Sequence, residues 1–317
     1  MRTILPILSL FIVATLVSGC ASSRFYRLPA KEFTNIDYGY PVKTTTVRNI
    51  HIAMIDEGRG DETIILIHGL GTNAKGWTKN IPVLAEKYRV IALDLPGYGK
   101  SDKGYYDYSM SFYAQVIKEL MEKLGVWKAV LIGHSMGGQI AMTAALEHPE
   151  IVEKLVLISP AGFERFTEGE AAWMKGAMKV DFIKDTPIRN IDINLKANFY
   201  DYPKDAEFMI TDRIQVRGAS DFENYCYAVS RNVWAMLDGP VYMRLKDIKQ
   251  PTLILFGEND GLIPNPYLHA GFTKDVAQIG KSEIPNSSLK LFPQCGHFVQ
   301  FEKAQETNKA IKEFLSN

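Results

Sequence analysis

Cysteine, net charge and long apolar runs are all scarce in this sequence. Only 3 cysteines occur in 317 residues, too few for the disulfide framework of a small secreted scaffold. Basic and acidic side chains balance at 36 each, so the formal net charge is zero. A nucleic-acid binder is recognised by a basic excess or stripe, so no nucleic-acid partner is expected. Neither a GxxxxGK[ST] phosphate loop nor a CxxC pair occurs. Nothing therefore points to a nucleotide cradle or a zinc site, and no cofactor or metal is expected. What is present is ordinary globular material: 46% hydrophobic and 23% charged residues, enough for a sizeable core and too apolar for disorder.

The N-terminus departs from this average. Arg2 precedes a mostly apolar run over residues 4–17, broken by Pro6, Ser9 and Thr15. Its length suits the h-region of a secretory signal and is short for a membrane span. The run ends in Val17-Ser18-Gly19-Cys20, which resembles the lipobox of bacterial lipoproteins. In that resemblance residues 1–19 are a signal peptide and Cys20 is the lipidated first residue of the mature chain. Each buried CH₂ of a lipid adds ~0.8 kcal/mol of membrane affinity, so more than one acyl chain is needed for stable anchoring. The expected partner is thus a membrane, reached through lipid on Cys20, in a bacterial cell envelope. Ala21 follows Cys20 where an Asp would favour retention, which points to the outer membrane. Cys226 and Cys295 then remain, expected as free thiols. Residues 20–45 are polar and aromatic, with Pro29 and Pro41, and read as a tether that packs onto the fold.

From residue 47 the pattern changes. Residues 50–54 alternate weakly and 57–61 carry a turn signal, which together with 64–67 suggests an antiparallel edge hairpin. Short apolar runs follow at 64–67, 90–93, 129–132, 155–158, 253–256 and 289–292, with helical patterns near 76–86, 110–124, 137–147, 265–278 and 300–315. Continuous apolar runs suit strands buried on both faces. Their alternation with helices implies right-handed crossovers and a mostly parallel sheet of the α/β class. The alternation breaks between Pro160 and Lys249. That stretch is helix-like and rich in aromatics: Trp173, Phe182, Phe199, Tyr200, Phe208, Phe222, Tyr225, Tyr227, Trp234 and Tyr242. It is too long for a structureless loop. It reads as an inserted helical cap whose aromatics mostly form its own core, a few lining the cleft below.

The chemistry is signalled at the ends of the apolar runs. Leu131-Ile132-Gly133-His134-Ser135-Met136-Gly137-Gly138 carries a strand into G-x-S-x-G and on into a helix. Such a turn lifts a serine hydroxyl above the sheet, and its glycines allow strand and helix to approach closely. A serine is a poor nucleophile unless a base takes its proton. The expected order is Ser, acid, His. Asp260 lies just past the run 252–256, and His297 just past 289–292, both where open α/β sheets place functional groups. Asp260 would hold the tautomer of His297. Glu258 is the rival acid, expected to point elsewhere. The oxyanion needs aimed amides: Met136 follows the nucleophile, and Leu70 lies in the loop Ile67-His68-Gly69-Leu70-Gly71. His68 reads as structural, fixing that loop, and His134 as packing or bonding locally.

These motifs resemble the α/β-hydrolase superfamily, in its branch with a helical cap. Asp94-Leu95-Pro96-Gly97-Tyr98-Gly99-Lys100-Ser101 matches the D-x-P-G-x-G-x-S loop common there, and Pro251-Thr252-Leu253-Ile254, Gly257-Glu258-Asn259-Asp260 and Gly296-His297 match its C-terminal pattern. The Asp94 loop is assigned no chemistry. The resemblance implies a hydrolase core over residues 46–160 and 246–317, with the cap at 161–245. It also argues against the epoxide hydrolases and haloalkane dehalogenases of the branch, which carry Asp at the elbow. The leading expectation is a carboxylic-ester hydrolase, esterase- or lipase-like, acting on a small-molecule ester with an apolar acyl group, or an apolar ester of medium size, through an acyl-enzyme. The alternatives are a C–C bond hydrolase with the same triad, cleaving a vinylogous diketone, and a non-catalytic envelope binding lipoprotein.

Overall fold

The computed structural model describes residues 25–316. The signal stretch 1–19 and Cys20 lie outside them. Eight strands form one sheet in the order β1-β2-β4-β3-β5-β6-β7-β8. They are β1 Lys43–Val47, β2 Ile50–Glu57, β3 Thr63–Ile67, β4 Arg89–Leu93, β5 Ala129–His134, β6 Val152–Ile158, β7 Thr252–Gly257 and β8 Ser287–Phe292. The helices are α1 Ile81–Leu84, α2 Met110–Lys123, α3 Met136–Glu147, α4 Glu168–Ala177, α5 Val180–Lys184, α6 Ile188–Lys196, α7 Glu207–Gln215, α8 Phe222–Asp238, α9 Thr273–Glu283, α10 Val299–Glu302 and α11 Ala304–Leu315.

From β4 to β8 every neighbouring pair is parallel. β3, β5 and β7 are buried along their whole length, which is why they read as unbroken apolar runs. Helix α3 packs on β5 and β6, and α9 on β7 and β8.

The edge departs from the expected hairpin. β2 pairs antiparallel with β1 on one side and with β4 on the other, and β3 touches β2 nowhere in the sheet order. The hairpin turn is Arg48-Asn49, both at positive φ, the twist that suits a two-residue connection. The 57–61 turn signal is real but serves a crossing. A Cβ on Gly58 would lie 2.2 Å from the Tyr88 carbonyl oxygen. The chain there passes flush against the backbone that enters β4, and then takes the central position as β3.

Three helical expectations also shift. Residues 76–86 yield only a short 3₁₀ turn and the four-residue α1. The pattern at 265–278 becomes a helix only from Thr273, because Pro264, Pro266 and Gly271 break the preceding stretch. The 300–315 helix is interrupted at Lys303.

Between β6 and β7, α4 to α8 form the inserted cap. Its aromatics serve both as core and as lining: Phe199, Phe222 and Tyr225 are buried, and Tyr227 and Phe208 pack against buried clusters. Phe182, Phe208, Phe222, Tyr225 and Tyr242 line the cavity beneath, and Trp173 and Tyr200 are exposed. Residues 25–42, read as a tether, pack along both parts. Phe25 is buried with Ile191, Ile210 and Ile214 of α6 and α7, while Phe33, Ile36 and Tyr38 enter the main core.

Candidate active site

The turn that carries Ser135 is forced by close packing. Ser135 sits between β5 and α3 at φ 54°, ψ −120°, a strained conformation for a residue with a side chain. The turn is held by the Ser135 amide donating to the Ile158 carbonyl at 3.0 Å and the Gly138 amide donating to the Ser135 carbonyl at 2.9 Å. No side chain fits around it. A Cβ on Gly137 would lie 2.2 Å from the Ile67 carbonyl oxygen, and one on Gly133 would lie 2.2 Å from that of Gly137. These contacts press the elbow against the end of β3. They also bring Gly69 so close that its missing Cβ would sit 3.0 Å from the Ser135 Cβ.

The loop after β3 is pinned by His68. Its Nε2 accepts from the Leu95 amide at 3.1 Å, so its Nδ1–H donates to the Gly69 carbonyl at 2.8 Å. Burial holds its pKa down at about 4, so the ring is neutral and its tautomer fixed. The Thr72 hydroxyl donates to the same Gly69 carbonyl at 2.9 Å. With that carbonyl drawn inward, Leu70 lines the cavity beside Ser135. Met136 is the first residue of α3, so its amide has no acceptor within the helix.

Asp260 and His297 meet past the ends of β7 and β8. The Asp260 Oδ2 lies 2.7 Å from His297 Nδ1, and both side chains are almost wholly buried. The other oxygen, Oδ1, accepts from the Leu262 and Ile263 amides at 2.8 and 3.1 Å. With Oδ1 held by two amides, Oδ2 is the acceptor that faces Nδ1 of His297, and Nε2 takes no part in the pair. His297 lines the same cavity as Ser135. Glu258, two residues earlier, is exposed.

The remaining candidates sort simply. The Asp94 carboxylate accepts from the Ala74 and Lys100 amides and the Tyr38 hydroxyl at 2.7–2.8 Å, and burial raises its pKa; it ties loops together. Cys226 and Cys295 are free and buried. Burial raises both thiols, Cys226 to about 11, which leaves them inert. Among the described residues no cluster of His, Cys, Asp and Glu could hold a metal, and no helix is long and apolar enough to cross a membrane.

The cavity over Ser135 measures about 700 Å³. Its cap side is largely apolar, with Phe166, Met174, Met178, Phe182, Val229 and Met236 in its wall. Polar groups interrupt it, among them Glu164, Arg165, Asp212, Arg213 and Arg217, and no sequence motif announced the corner at Arg213. There Arg213 of α7 lies over the Tyr225 ring, 4.5 Å from its centre. Its Nη1 donates to the Gly71 carbonyl at 3.4 Å, close to the limit of such a bond. Burial lowers its pKa to about 10, which leaves it charged at neutral pH. The neighbouring Asp212 is engaged by Lys75 at 2.8 Å.

A family model described as the alpha/beta hydrolase fold matches residues 62–304. The chain belongs to the α/β-hydrolase family. Among the similar members is the 2-hydroxy-6-oxononadienedioate/2-hydroxy-6-oxononatrienedioate hydrolase of Burkholderia vietnamiensis, 33% identical over 82% of this chain and 89% of its own. The Escherichia coli K12 enzyme of the same name is 33% identical over 85% of this chain and 92% of its own. A probable hydrolytic enzyme from Pseudomonas aeruginosa PAO1 superposes with a TM-score of 0.79, at 28% identity over 91% of this chain and 99% of that one. A meta-cleavage product hydrolase from Pseudomonas fluorescens IP01 gives 0.71, at 28% identity over 86% and 97%. This α/β-hydrolase is therefore a hydrolase with C–C bond hydrolases among its relatives. That moves the reading of its substrate away from the ester expected at first.

Proposed function

We propose that the protein hydrolyses a carbon–carbon bond in a vinylogous diketone that carries a carboxylate. Ser135 is the nucleophile, His297 the base, Asp260 its orienting acid, and the Leu70 and Met136 amides the oxyanion donors. The observation that carries the choice of substrate is Arg213, a cation in the wall of the cavity that holds Ser135. The relatives' names support it. When Ser135 Oγ attacks the acyl carbonyl, its proton passes to His297 Nε2 and negative charge develops on oxygen. The oxyanion then collapses and the C–C bond breaks. Its electron pair moves into the conjugated second carbonyl, and His297 returns the proton to the departing carbon. An arginine facing that end of the substrate binds the carboxylate and stabilises the enolate charge. Water activated by His297 then releases the acid from Ser135.

A second reading keeps the ester first expected. It is favoured by the mostly apolar wall of the cavity, which would accept an acyl chain without using Arg213. Cys20 as a lipidated anchor in the bacterial envelope is part of the same proposal and rests on the sequence of residues 2–21 alone. The test compares a 2-hydroxy-6-oxo-dienoate, followed by loss of its dienolate absorbance, with p-nitrophenyl esters of short and medium acyl chains. The proposal expects the dienoate to be preferred in kcat/KM. Turnover of the esters with an inert dienoate would replace it by the second reading.

A further inference from the structure

We propose that Glu302 is a positioning residue that straps the catalytic histidine to the cap. The inference rests on His297 being the base. Glu302 ends α10, five residues beyond His297, and belongs to no motif discussed above. Its Oε2 accepts from the Gly296 amide at 2.8 Å and the Tyr200 amide at 3.3 Å, and its Oε1 accepts from the Asp201 amide at 2.8 Å. One carboxylate thus joins the residue before His297 to the cap segment that follows α6.

The same two segments meet again at His297 itself. The His297 amide donates to the Asn198 carbonyl at 2.7 Å. Next to it, the Phe298 and Phe199 rings stack 5.1 Å apart and nearly parallel. The other end of the His297 peptide is held by the body: His134 Nε2–H donates to the His297 carbonyl at 3.1 Å. Burial keeps the His134 ring neutral. The base is therefore suspended between the cap, through its amide, and the nucleophile elbow, through its carbonyl. Its Asp260 contact fixes the ring, but Glu302 and Asn198 fix where the ring's backbone sits. A cap that only covered the cavity would set substrate fit. A cap tied to the base also sets the distance between base and nucleophile, so a displaced segment 198–201 would slow chemistry even with substrate bound. A misplacement of about 1 Å can cost ~10²-fold in rate.

The test uses two independent ways of loosening the strap in the full chain. Glu302→Ala removes the shared acceptor, whereas Gly296→Ala pushes the cap segment off, since its Cβ would lie 2.4 Å from the Asn198 carbonyl oxygen. Both are normalised by the endpoint of fluorophosphonate labelling, which counts folded sites. Expected is a fall in kcat per labelled site of ~10- to 100-fold, with KM little changed and labelling slowed in parallel. Glu302→Gln keeps one acceptor oxygen and should recover part of the rate; it also serves if the alanine variant does not fold. Wild-type kcat per labelled site in Gly296→Ala and in the Glu302 variants, or a change confined to KM, would overturn the strap. A wild type that neither labels nor turns over would instead remove the nucleophile reading, and the strap with it.

Discussion

The elbow and the cap line one cavity, yet they are built by opposite rules. At the elbow, backbone presses on backbone, and a single added methyl at Gly133 or Gly137 would collide with a carbonyl. Its strands are buried throughout. In the cap, α4 has no buried residue, α6 buries only Ile191, and many side chains face the cavity or the solvent. The difference separates two tasks. Under the proposed function, the elbow holds a reaction geometry that tolerates almost no change. Under the same proposal, the cap presents a replaceable lining whose alterations would shift what is bound. The strap at Glu302 is where the two rules meet.

The sharpest way to break this contrast is at the elbow. Gly137→Ala places a Cβ 2.2 Å from the Ile67 carbonyl oxygen, where only backbone can give way. Overpacking and loss of strained geometry together should cost more than ~3 kcal/mol. Thermal melting should show a large drop in Tm, or no folded protein, and a near-wild-type melt would contradict the packing argument. In the cap, Arg213→Leu should leave the fold within ~2 kcal/mol, since the arginine gives up one long hydrogen bond and its stacking on Tyr225. For a carboxylate-bearing substrate, the lost charged contact of ~1.5–3 kcal/mol should lower kcat/KM ~10- to 150-fold. A neutral p-nitrophenyl ester should be affected far less. Equal losses on both substrates would remove Arg213 from recognition.

The same contrast explains what could be read from the sequence. The elbow, the central strands and the Asp260–His297 pairing follow from local rules: buried strands look apolar, and functional groups follow strand ends. The edge went wrong because 50–54 and 64–67 are close in sequence and both strand-like. Only the crossing at Gly58 and Gly60 tells that β4 lies between them. Arg213 was invisible because one arginine on an amphipathic helix looks like any surface charge until the cavity is seen. Glu302 was missed for a related reason: besides nearby Gly296, its amide partners Tyr200 and Asp201 come from a distant cap segment, and no spacing rule connects residue 302 to 200 and 201. Which of the cap's aromatics face the cavity could not be read from sequence, because burial in a core and exposure to a cavity call for the same residue types.

The central claim is that Ser135, driven by His297, forms the covalent intermediate. Mass spectrometry of the protein after fluorophosphonate treatment tests it most directly. The account predicts a single adduct on the peptide carrying Ser135, absent from folded Ser135→Ala and formed far more slowly in His297→Ala. An adduct on another residue, or full hydrolytic turnover by Ser135→Ala, would contradict it.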